Sequence, residues 1–452
     1  MTIMNVHQAL TKELFTPLLE HRQGRESLKQ YEVLKKIQWF SPKEIEKIQL
    51  KRLKHLLKVS YEYVPYYRKV FRERKLKPSD FHDLEDLKKL PILTKDILRN
   101  NFWKLTSTNC PRGTKLYSTS GTTGEPVNFL KTRKQVSWEN GAGYLITSWY
   151  GLDPGYKHGL IWALRSPLAV WQRKLNILLR QRILNSFQMS NDSLHKFARE
   201  LTTFKPEVLR GYSNTLHFFA QFVRKAGFEI RPKVVVSTGE ALASHQRQEI
   251  QDVFGCDVFS FYASREISAI AAECHAHRGY HIMADNVILE TIKDGFSVDC
   301  DETGVITLTN LCNYAMPLIR YKLGDLGSLS CEKCSCGIGL PLLKSLDGRI
   351  SDILVDSNSR YSATPSAHYV FKNLPITQYQ IVQNRKGEIQ ILIIPDEGFS
   401  ENDVNTIRQR VQQYLGSFEV SFKYVKSISR HKAGKRRVII SQVPCLKLLD
   451  TL

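Results

Sequence analysis

Apolar residues recur at helical spacing through the first hundred residues. Ser41-Pro42-Lys43-Glu44 has the pattern of a capping box with proline at the first helical position. The apolar face that follows is formed by Ile45, Ile48, Leu53, Leu56 and Leu57. This helix should end before Pro65, which cannot continue it, and residues 64–68 and 90–95 are predicted to be fixed turns. We therefore expect residues 1–100 to be mainly helical.

Between about residues 115 and 345 the pattern changes to short β-rich runs alternating with helical segments. The runs at 159–162, 234–237 and 258–261 read as strands, and helical spacing appears around 193–203, 213–226 and 243–254. Such alternation is typical of an α/β layer structure.

The last hundred residues have a third pattern. Residues 391–394 form an apolar run that predicts a buried strand. Helical spacing links Val404, Ile407, Val411 and Leu415, and residues 418–424 alternate as a strand does. A small α+β domain is predicted here.

Length and composition limit the class of protein to which the chain can belong. A chain of 452 residues is long enough for two or three domains. No run approaches the roughly 20 apolar residues of a membrane span, and the first residues do not follow the pattern of a secretory signal. Nine unevenly spaced cysteines do not suggest a secreted disulfide framework. We expect a cytoplasmic protein.

The net charge is strongly positive. Lys and Arg number 65 against 44 Asp and Glu, which gives +21 and favours a polyphosphate ligand, a nucleic acid or an anionic membrane face. Residues 171–187 combine Arg and Lys with leucines. Peripheral membrane contact through this stretch is one interpretation, and a basic helix on the outer surface of an enzyme is the favoured one.

A hydroxyl-rich loop is the main candidate for chemistry. Ser118–Gly124 contains five hydroxyl side chains and two glycines, between two predicted strands. Glycine lets amide groups approach an anion closely, and hydroxyls donate further hydrogen bonds, so the loop suits phosphate oxygens. A flexible linker is the alternative. No Gly-Lys-Ser/Thr follows, so this is not the common phosphate loop.

Four further motifs are individually weak. A small-residue turn follows the strand at 234–236, and an aromatic-acidic segment, 261–266, follows the next strand. Asp325 and Arg349 belong to motifs that suit ribose hydroxyls and phosphate. The basic segment 430–437 suits either a nucleic acid or a mobile glycine loop that presents one lysine to a phosphoryl group.

Taken in order, these motifs resemble those of the adenylate-forming superfamily. The likeness runs from about Leu90 to Arg437, and Val64–Arg68 extends it. Within the superfamily the chain looks most like the phenylacetate–CoA ligase group, particularly the branch found among capsular-polysaccharide biosynthesis proteins.

The resemblance implies a large multi-layer α/β N-terminal domain, residues 1–350, and a small α+β C-terminal lid domain, residues 351–452, hinged near Ser351-Asp352. The enzyme would be an AMP-forming ligase that uses ATP and Mg²⁺ to activate a carboxylic acid and passes the acyl group to CoA. The alternative acceptor is an amine on an amino acid or amino sugar.

The resemblance also assigns the site residues. Catalytic roles fall to Lys435, the lid lysine, and to Glu266, which would hold Mg²⁺. The ATP phosphates would lie against Thr119, Ser120, Gly121, Thr122, Thr123 and Gly124. Adenine would contact Gly239, Glu240 and Tyr262, and the ribose and its phosphate would contact Asp325 and Arg349.

The chain departs from the family pattern at several positions. Glu125 stands where relatives often have Lys, Ala263 replaces a common Gly, and Ser351 replaces a usual Asp. Arg265 replaces a Ser or Thr and would serve phosphate by charge. No proline precedes the Lys435 loop.

Cysteine and histidine spacing predicts a structural Zn²⁺ site. Residues 331–337 are rich in cysteine, and residues 273–281 add a cysteine and three histidines. Reduced surface cysteines are the alternative, and the related branch often carries such a site. The expected ligands are Cys274, His281, Cys334 and Cys336, with Cys331 or His277 as replacements.

Two other classes of protein stay open. A basic zinc protein could bind nucleic acid, but aromatic residues for base stacking do not accompany the basic loop, so no nucleic-acid partner is expected. The departures from the family's motifs also leave open the possibility that the chain is a non-catalytic relative. The sequence gives neither the acid nor the oligomeric state.

Overall fold

The computed structural model describes residues 6–119, 126–164, 169–349, 354–358, 361–362, 367, 370–371, 374–428 and 438–443. Much of the predicted phosphate loop, the predicted hinge and the segment that contains Lys435 lie outside these residues.

The α-helices of the described residues are α1 (Val6–Leu10), α2 (Thr16–Gln23), α3 (Ser27–Ile37), α4 (Pro42–Tyr63), α5 (Pro65–Glu73), α6 (Lys95–Asn100), α7 (Phe102–Leu105), α8 (Arg133–Ser148), α9 (Val170–Leu178), α10 (Asn191–Phe204), α11 (Ser213–Lys225), α12 (Ser244–Phe254) and α13 (Glu401–Tyr414). None of them combines the length and the apolar character needed to cross a membrane.

The strands are β1 (Lys115–Ser118), β2 (Asn128–Lys131), β3 (His158–Trp162), β4 (Gln181–Asn185), β5 (Val208–Tyr212), β6 (Val234–Thr238), β7 (Asp257–Tyr262), β8 (Ala271–Glu273), β9 (Tyr280–Ile282), β10 (Val287–Lys293), β11 (Phe296–Ser297), β12 (Thr303–Asn310), β13 (Tyr321–Ser330), β14 (Leu342–Arg349), β15 (Leu354–Val355), β16 (Tyr361–Ser362), β17 (Ile376–Arg385), β18 (Glu388–Pro395), β19 (Glu419–Tyr424) and β20 (Ile439–Ser441).

One large sheet organises the chain up to Arg349. Its strand order in the described residues is β11-β10-β12-β13-β14-β9-β8-β7-β6-β5-β3-β4. The strands from β4 to β7 are parallel, whereas β8 pairs antiparallel with β7 and the strands beyond it continue antiparallel. The predicted α/β class is therefore confirmed. The parallel half also follows the predicted order of strands and helices.

Helices cover both faces of the parallel half. Leu209 and Val235 point to one face, where they join a core with α10, α11 and α12. Val208 and Val236 point to the other, where they join a core that includes α8 and the N-terminal helices. α8 approaches α3 so closely that a Cβ at Gly141 would lie 3.0 Å from the backbone of Ser27, which explains the glycine.

The N-terminal hundred residues are mainly helical in the structure, and α4 begins with the predicted capping box. The Glu44 amide donates to Ser41 Oγ, and the Glu44 carboxylate accepts from the Ser41 amide. The prediction of a turn at residues 64–68 is wrong. Pro65 instead opens α5, because its fixed φ suits a first helical position and Val64 supplies an extended residue before it.

The basic stretch 171–187 is not one helix. α9 ends at Leu178, Arg180 adopts a positive φ of 56°, and residues from Gln181 onward form β4, the edge strand of the parallel half. The apolar residues of this stretch therefore belong partly to a short helix and partly to a strand. Hydrophobic periodicity in a single sequence does not distinguish this arrangement from one continuous helix.

The C-terminal residues form a smaller sheet of order β19-β18-β17-β20, packed against α13. Its core contains Ile391, Ile393 and Ile407. The predicted strands and helix of this region are present.

Candidate functional site

The carboxyl ends of the parallel strands place several candidate residues along one edge of the sheet. β5, β6 and β7 are in register, so that Tyr212 pairs with Thr238 and Thr238 with Phe261. Gly239 follows β6 with a φ of +75°, and Tyr262 ends β7. In α/β sheets this edge is where ligands bind.

Tyr262 and Asp325 meet although 63 residues separate them. The Tyr262 hydroxyl donates to Asp325 Oδ2 at 2.8 Å, and both side chains are half-buried. In the β13–β14 ladder, Asp325 pairs with Arg349. The structure thus brings Tyr262 to the strand pair that carries the ribose-binding candidates.

Glu266 is buried, with 4% of its surface exposed. Its Oε1 accepts from the Tyr321 hydroxyl at 2.8 Å, and its main-chain oxygen accepts from Gln135 Nε2 at 2.8 Å. Burial, together with the Glu266 carboxylate, raises the pKa of Tyr321 well above its ordinary value. Tyr321 therefore stays protonated and continues to donate to the carboxylate.

A buried ion pair supports the loop that carries Glu266. Lys131 Nζ lies 2.9 Å from both oxygens of Glu139 and from Ser268 Oγ. Glu139 Oε1 also accepts from the Ser268 amide at 3.0 Å and from Gln135 Nε2 at 2.8 Å. β2, α8 and the 264–268 loop are joined by this network. Sequence reasoning missed it, because Lys131 and Glu139 stand outside every recognised motif.

The hydroxyl-rich loop joins β1 to β2. Thr119 accepts from the Val127 amide through Oγ1 at 2.8 Å, and its own amide donates to the Val127 oxygen at 2.9 Å. The strands that frame the loop were predicted, and this pair closes its base. Ser120, Gly121, Thr122, Thr123 and Gly124 lie outside the described residues, as does Lys435.

Two predicted residues have other contacts. Glu240 Oε2 accepts from the backbone amide and from the side-chain amide of Asn214, both at 3.1 Å. Since Asn214 lies in the first turn of α11, this carboxylate caps that helix. Arg265 is exposed on the 264–268 loop.

The four predicted zinc ligands come together in the structure. The ligand atoms of Cys274, His281, Cys334 and Cys336 all lie within 4.8 Å of one another. Cys274 Sγ and Cys334 Sγ are 3.6 Å apart, close to the roughly 3.7 Å between two sulfurs on one tetrahedral zinc. The donor set and its spacing fit Zn²⁺.

The histidine of the cluster is oriented for metal binding. His281 Nδ1 lies 3.2 Å from the Leu340 main-chain oxygen, and this hydrogen bond keeps the proton on Nδ1. The unprotonated Nε2, which lies 3.2 Å from Cys336 Sγ, is then the atom that can bind the metal. Burial lowers the pKa of His281 and raises the pKa of Cys274 to about 12. A bound cation is therefore what would ionise the Cys274 thiol.

Neither predicted replacement ligand belongs to the cluster. The His277 ring stacks on Phe259 at 4.9 Å, and its Nδ1 lies 3.6 Å from Glu273. Cys331 forms a disulfide with Cys300, a pairing that the sequence reasoning did not include.

Comparison with known proteins gives matches along most of the chain. The CapK C-terminal domain matches residues 363–442. The phenylacetate-coenzyme A ligase of Thermus thermophilus is 28% identical over 77% of this chain and 80% of its own length. Protein CapK of Staphylococcus aureus is 23% identical over 85% of this chain and 87% of its own length.

The same fold is found in a solved structure of 2-hydroxyisobutyryl-CoA ligase in the postadenylation state, in complex with R3-HIB-AMP. It superimposes with a TM-score of 0.75 at 20% identity, over 91% of this chain and 93% of that chain. The likeness spans both the large sheet and the C-terminal sheet.

Proposed function

Because this chain belongs to the phenylacetate–CoA ligase-like group of adenylate-forming enzymes, we propose that it activates a carboxylic acid with ATP and transfers the acyl group to CoA. The observation that carries this proposal is the meeting of Tyr262, Asp325 and the Glu266 loop at the carboxyl edge of the parallel strands.

The nucleotide would lie along this edge. Adenine would lie against Gly239 and beside Tyr262, and Glu240 would act there by fixing the start of α11. Asp325, oriented by the Tyr262 hydroxyl, accepts from the ribose hydroxyls, and Arg349 across the ladder donates to the ribose or its phosphate.

The phosphates would be held by the loop that Thr119 begins, Thr119–Gly124, with Arg265 adding positive charge. The carboxylate of the substrate attacks the α-phosphorus, giving an acyl-adenylate and pyrophosphate. Hydrogen-bond donors placed before the reaction lower this barrier, since charge accumulates on the phosphate oxygens. Lys435 supplies a further cation from the C-terminal unit.

Glu266 is the residue that would hold Mg²⁺. Its carboxylate is already oriented by Tyr321, which supplies a neutral donor and leaves the negative charge for the cation. Bound Mg²⁺ would neutralise charge on the phosphates.

Zn²⁺ would hold the Cys274–His281–Cys334–Cys336 cluster as a structural metal. The cluster joins the end of β8 and strand β9 to the connection between β13 and β14. Four protein donors leave no coordination position for substrate.

The C-terminal unit, residues 351–452, would act as the lid over residues 1–350. A cleft of about 740 Å³ lies between α11 and α12 on one side and β17 on the other, lined in part by His217, Phe218, Leu374 and Tyr379. Rotation of the C-terminal unit would withdraw Lys435 and admit the acceptor.

Peripheral contact with an anionic membrane would be made through α9. None of its residues is buried, and Val170, Trp171 and Ile177 are 70%, 64% and 57% exposed. From residue 154 to residue 191 the sequence has six basic residues and no acidic residue. Co-sedimentation with phosphatidylglycerol vesicles but not phosphatidylcholine vesicles, lost in Trp171→Ala, would support it. Equal binding to both kinds of vesicle, or binding to neither, would refute the proposed membrane contact.

The test of the ligase function is ATP–pyrophosphate exchange across a panel of aryl, fatty, amino and uronic acids. Lys435→Ala should abolish exchange while transfer from a supplied acyl-adenylate is largely kept, and Lys432→Ala serves as a control from the same segment. Absence of exchange with every acid, together with no ATP binding by calorimetry, would refute the proposal. Exchange without thioester formation, but with acyl transfer to an amine, would assign the chain to the amide-forming alternative.

A further inference from the structure

A half-buried arginine lies on the sheet, apart from the nucleotide residues. Arg210 is in β5, and its side chain points to the same face as Val208 and Tyr212, toward α8. Among the described residues its side chain makes no ion pair and no hydrogen bond, and its buried Nε has no partner.

Aromatic rings surround its guanidinium. The guanidinium carbon lies 4.5 Å from the centre of the Phe261 ring and 5.9 Å from that of Trp162. Trp162 in turn stacks on Tyr212 with their centres 5.0 Å apart. These contacts hold the guanidinium in place but carry no negative charge.

A small cavity opens beside Arg210, with about 10 Å³ of space for water and a lining that includes His158, Tyr156 and Thr147. That space accepts one small polar group. His158 Nε2 is also buried without a partner. Burial, and then the neighbouring Arg210, lowers the pKa of His158 to about 3, so the imidazole is neutral and does not balance or add to the charge.

The charge of Arg210 is therefore uncompensated. Burial lowers its pKa, but a guanidinium does not lose its proton in a protein. A guanidinium partly withdrawn from water and without a carboxylate beside it is well placed to bind an anionic group through charge-assisted hydrogen bonds.

The position of Arg210 relates it to the acid that the enzyme would activate. Arg210 pairs with Val236, and Val236 with Phe259, three residues before Tyr262. Three strand residues span roughly 10 Å. An acid whose reacting carboxylate lies at the strand ends would therefore extend its far end along β5 toward Arg210.

We propose that Arg210 selects the substrate, and that the acid carries a second anionic group at its far end, bound by the Arg210 guanidinium beside His158. This inference rests on the proposed ligase function. A neutral aromatic or fatty acid would leave the guanidinium without an anionic partner, which disfavours that acid relative to a diacid of the same length.

The experiment compares matched pairs of acids in ATP–pyrophosphate exchange, namely 4-carboxyphenylacetate with 4-methylphenylacetate and adipate with hexanoate. In the unchanged protein the diacid of at least one pair should have the higher kcat/KM, by about 30-fold or more. Arg210→Met should lose that preference mainly through a raised KM for the diacid, while the neutral acid is used equally well or better.

Arg182→Met is the matched control, because Arg182 lies on β4, which β3 separates from β5, and its guanidinium carbon lies at the same 4.5 Å from an aromatic ring centre, that of Phe204. It should keep the diacid preference. A neutral acid preferred by the unchanged protein, or an equal loss for both acids in Arg210→Met, would overturn the inference while leaving the ligase function intact.

Calorimetry with the acids alone gives a second measurement that does not depend on turnover. The diacid should bind to the unchanged protein and at least tenfold more weakly to Arg210→Lys, which keeps charge but not the two-pronged geometry. Absence of diacid binding to the unchanged protein would refute the role of Arg210, whatever the result of the exchange assay.

Discussion

Replacing Lys131 by Met should destabilise the protein strongly, because it leaves the Glu139 carboxylate buried without a counter-ion. The two side chains are 3% and 4% exposed, and Nζ lies 2.9 Å from both carboxylate oxygens. Breaking a buried pair from one side costs about 3–5 kcal/mol. For a domain of about 350 residues, with an unfolding entropy of about 2.1 cal/mol/K per residue, that corresponds to a fall in Tm of roughly 4–7 °C.

The exposed pair of Lys344 and Asp301 provides the control. Its atoms are 2.8 Å apart, almost the same separation, but the side chains are 54% and 47% exposed. Lys344→Met should therefore cost at most about 1 kcal/mol. Urea unfolding followed by circular dichroism measures both variants.

The double variant Lys131→Met with Glu139→Gln shows whether the loss of stability comes from the unpaired Glu139 charge or from altered packing of the residue 131 side chain. It removes both charges, while the oxygen of the new side-chain amide can still accept from the Ser268 amide, so at least half of the lost stability should return. If Lys131→Met costs no more than Lys344→Met, or if the double variant is no more stable than the single one, the buried pair does not act as described.

Three further changes have defined outcomes. Cys336→Ser should abolish zinc binding measured by mass spectrometry and lower the stability, whereas Cys256→Ser, at a cysteine outside the cluster, should do neither. Loss of adenylation on chelation with no loss of folded structure would contradict a structural role for the metal. Tyr262→Phe should weaken ATP binding roughly tenfold, since Asp325 loses its orienting donor; unchanged affinity would remove Asp325 from the ribose site. His158 has a folded pKa of about 3, below its unfolded value, so it adds stability at neutral pH that is lost as the pH falls from 6.5 toward 3. At pH 5 the loss is about 2 kcal/mol, and His158→Phe should show a flatter stability profile between pH 7 and pH 5 than the unchanged protein.

Local patterns in the sequence predicted much of the fold. The Ser41 capping box and the strand around Val235 depend on residues that are neighbours in the chain, so their signals are visible in one sequence. The zinc candidates were found because Cys334 and Cys336 lie within three residues of each other and Cys274 within eight of His281. Tetrahedral coordination then limits which pairs can meet.

Contacts between distant residues of ordinary type left no such signal. Lys131 and Glu139 are a lysine and a glutamate like many others, and only burial makes their pairing important. The pairing of Cys300 with Cys331 is likewise decided by where two loops meet. Arg210 carries no motif, and its significance depends on the absence of a carboxylate near it in the described residues.

The reversal of strand direction at β7 affects how the chain emerges from the ribosome. β3 to β7 are complete once residue 262 has been made, yet β7 then has one unpaired edge until β8 follows. Its side chains Phe259 and Phe261 await the core that later residues complete. An exposed apolar edge of this kind invites pairing with other chains. Fragments that stop between residues 262 and 271 should therefore aggregate, and translation pauses in that interval should lower the yield of native protein.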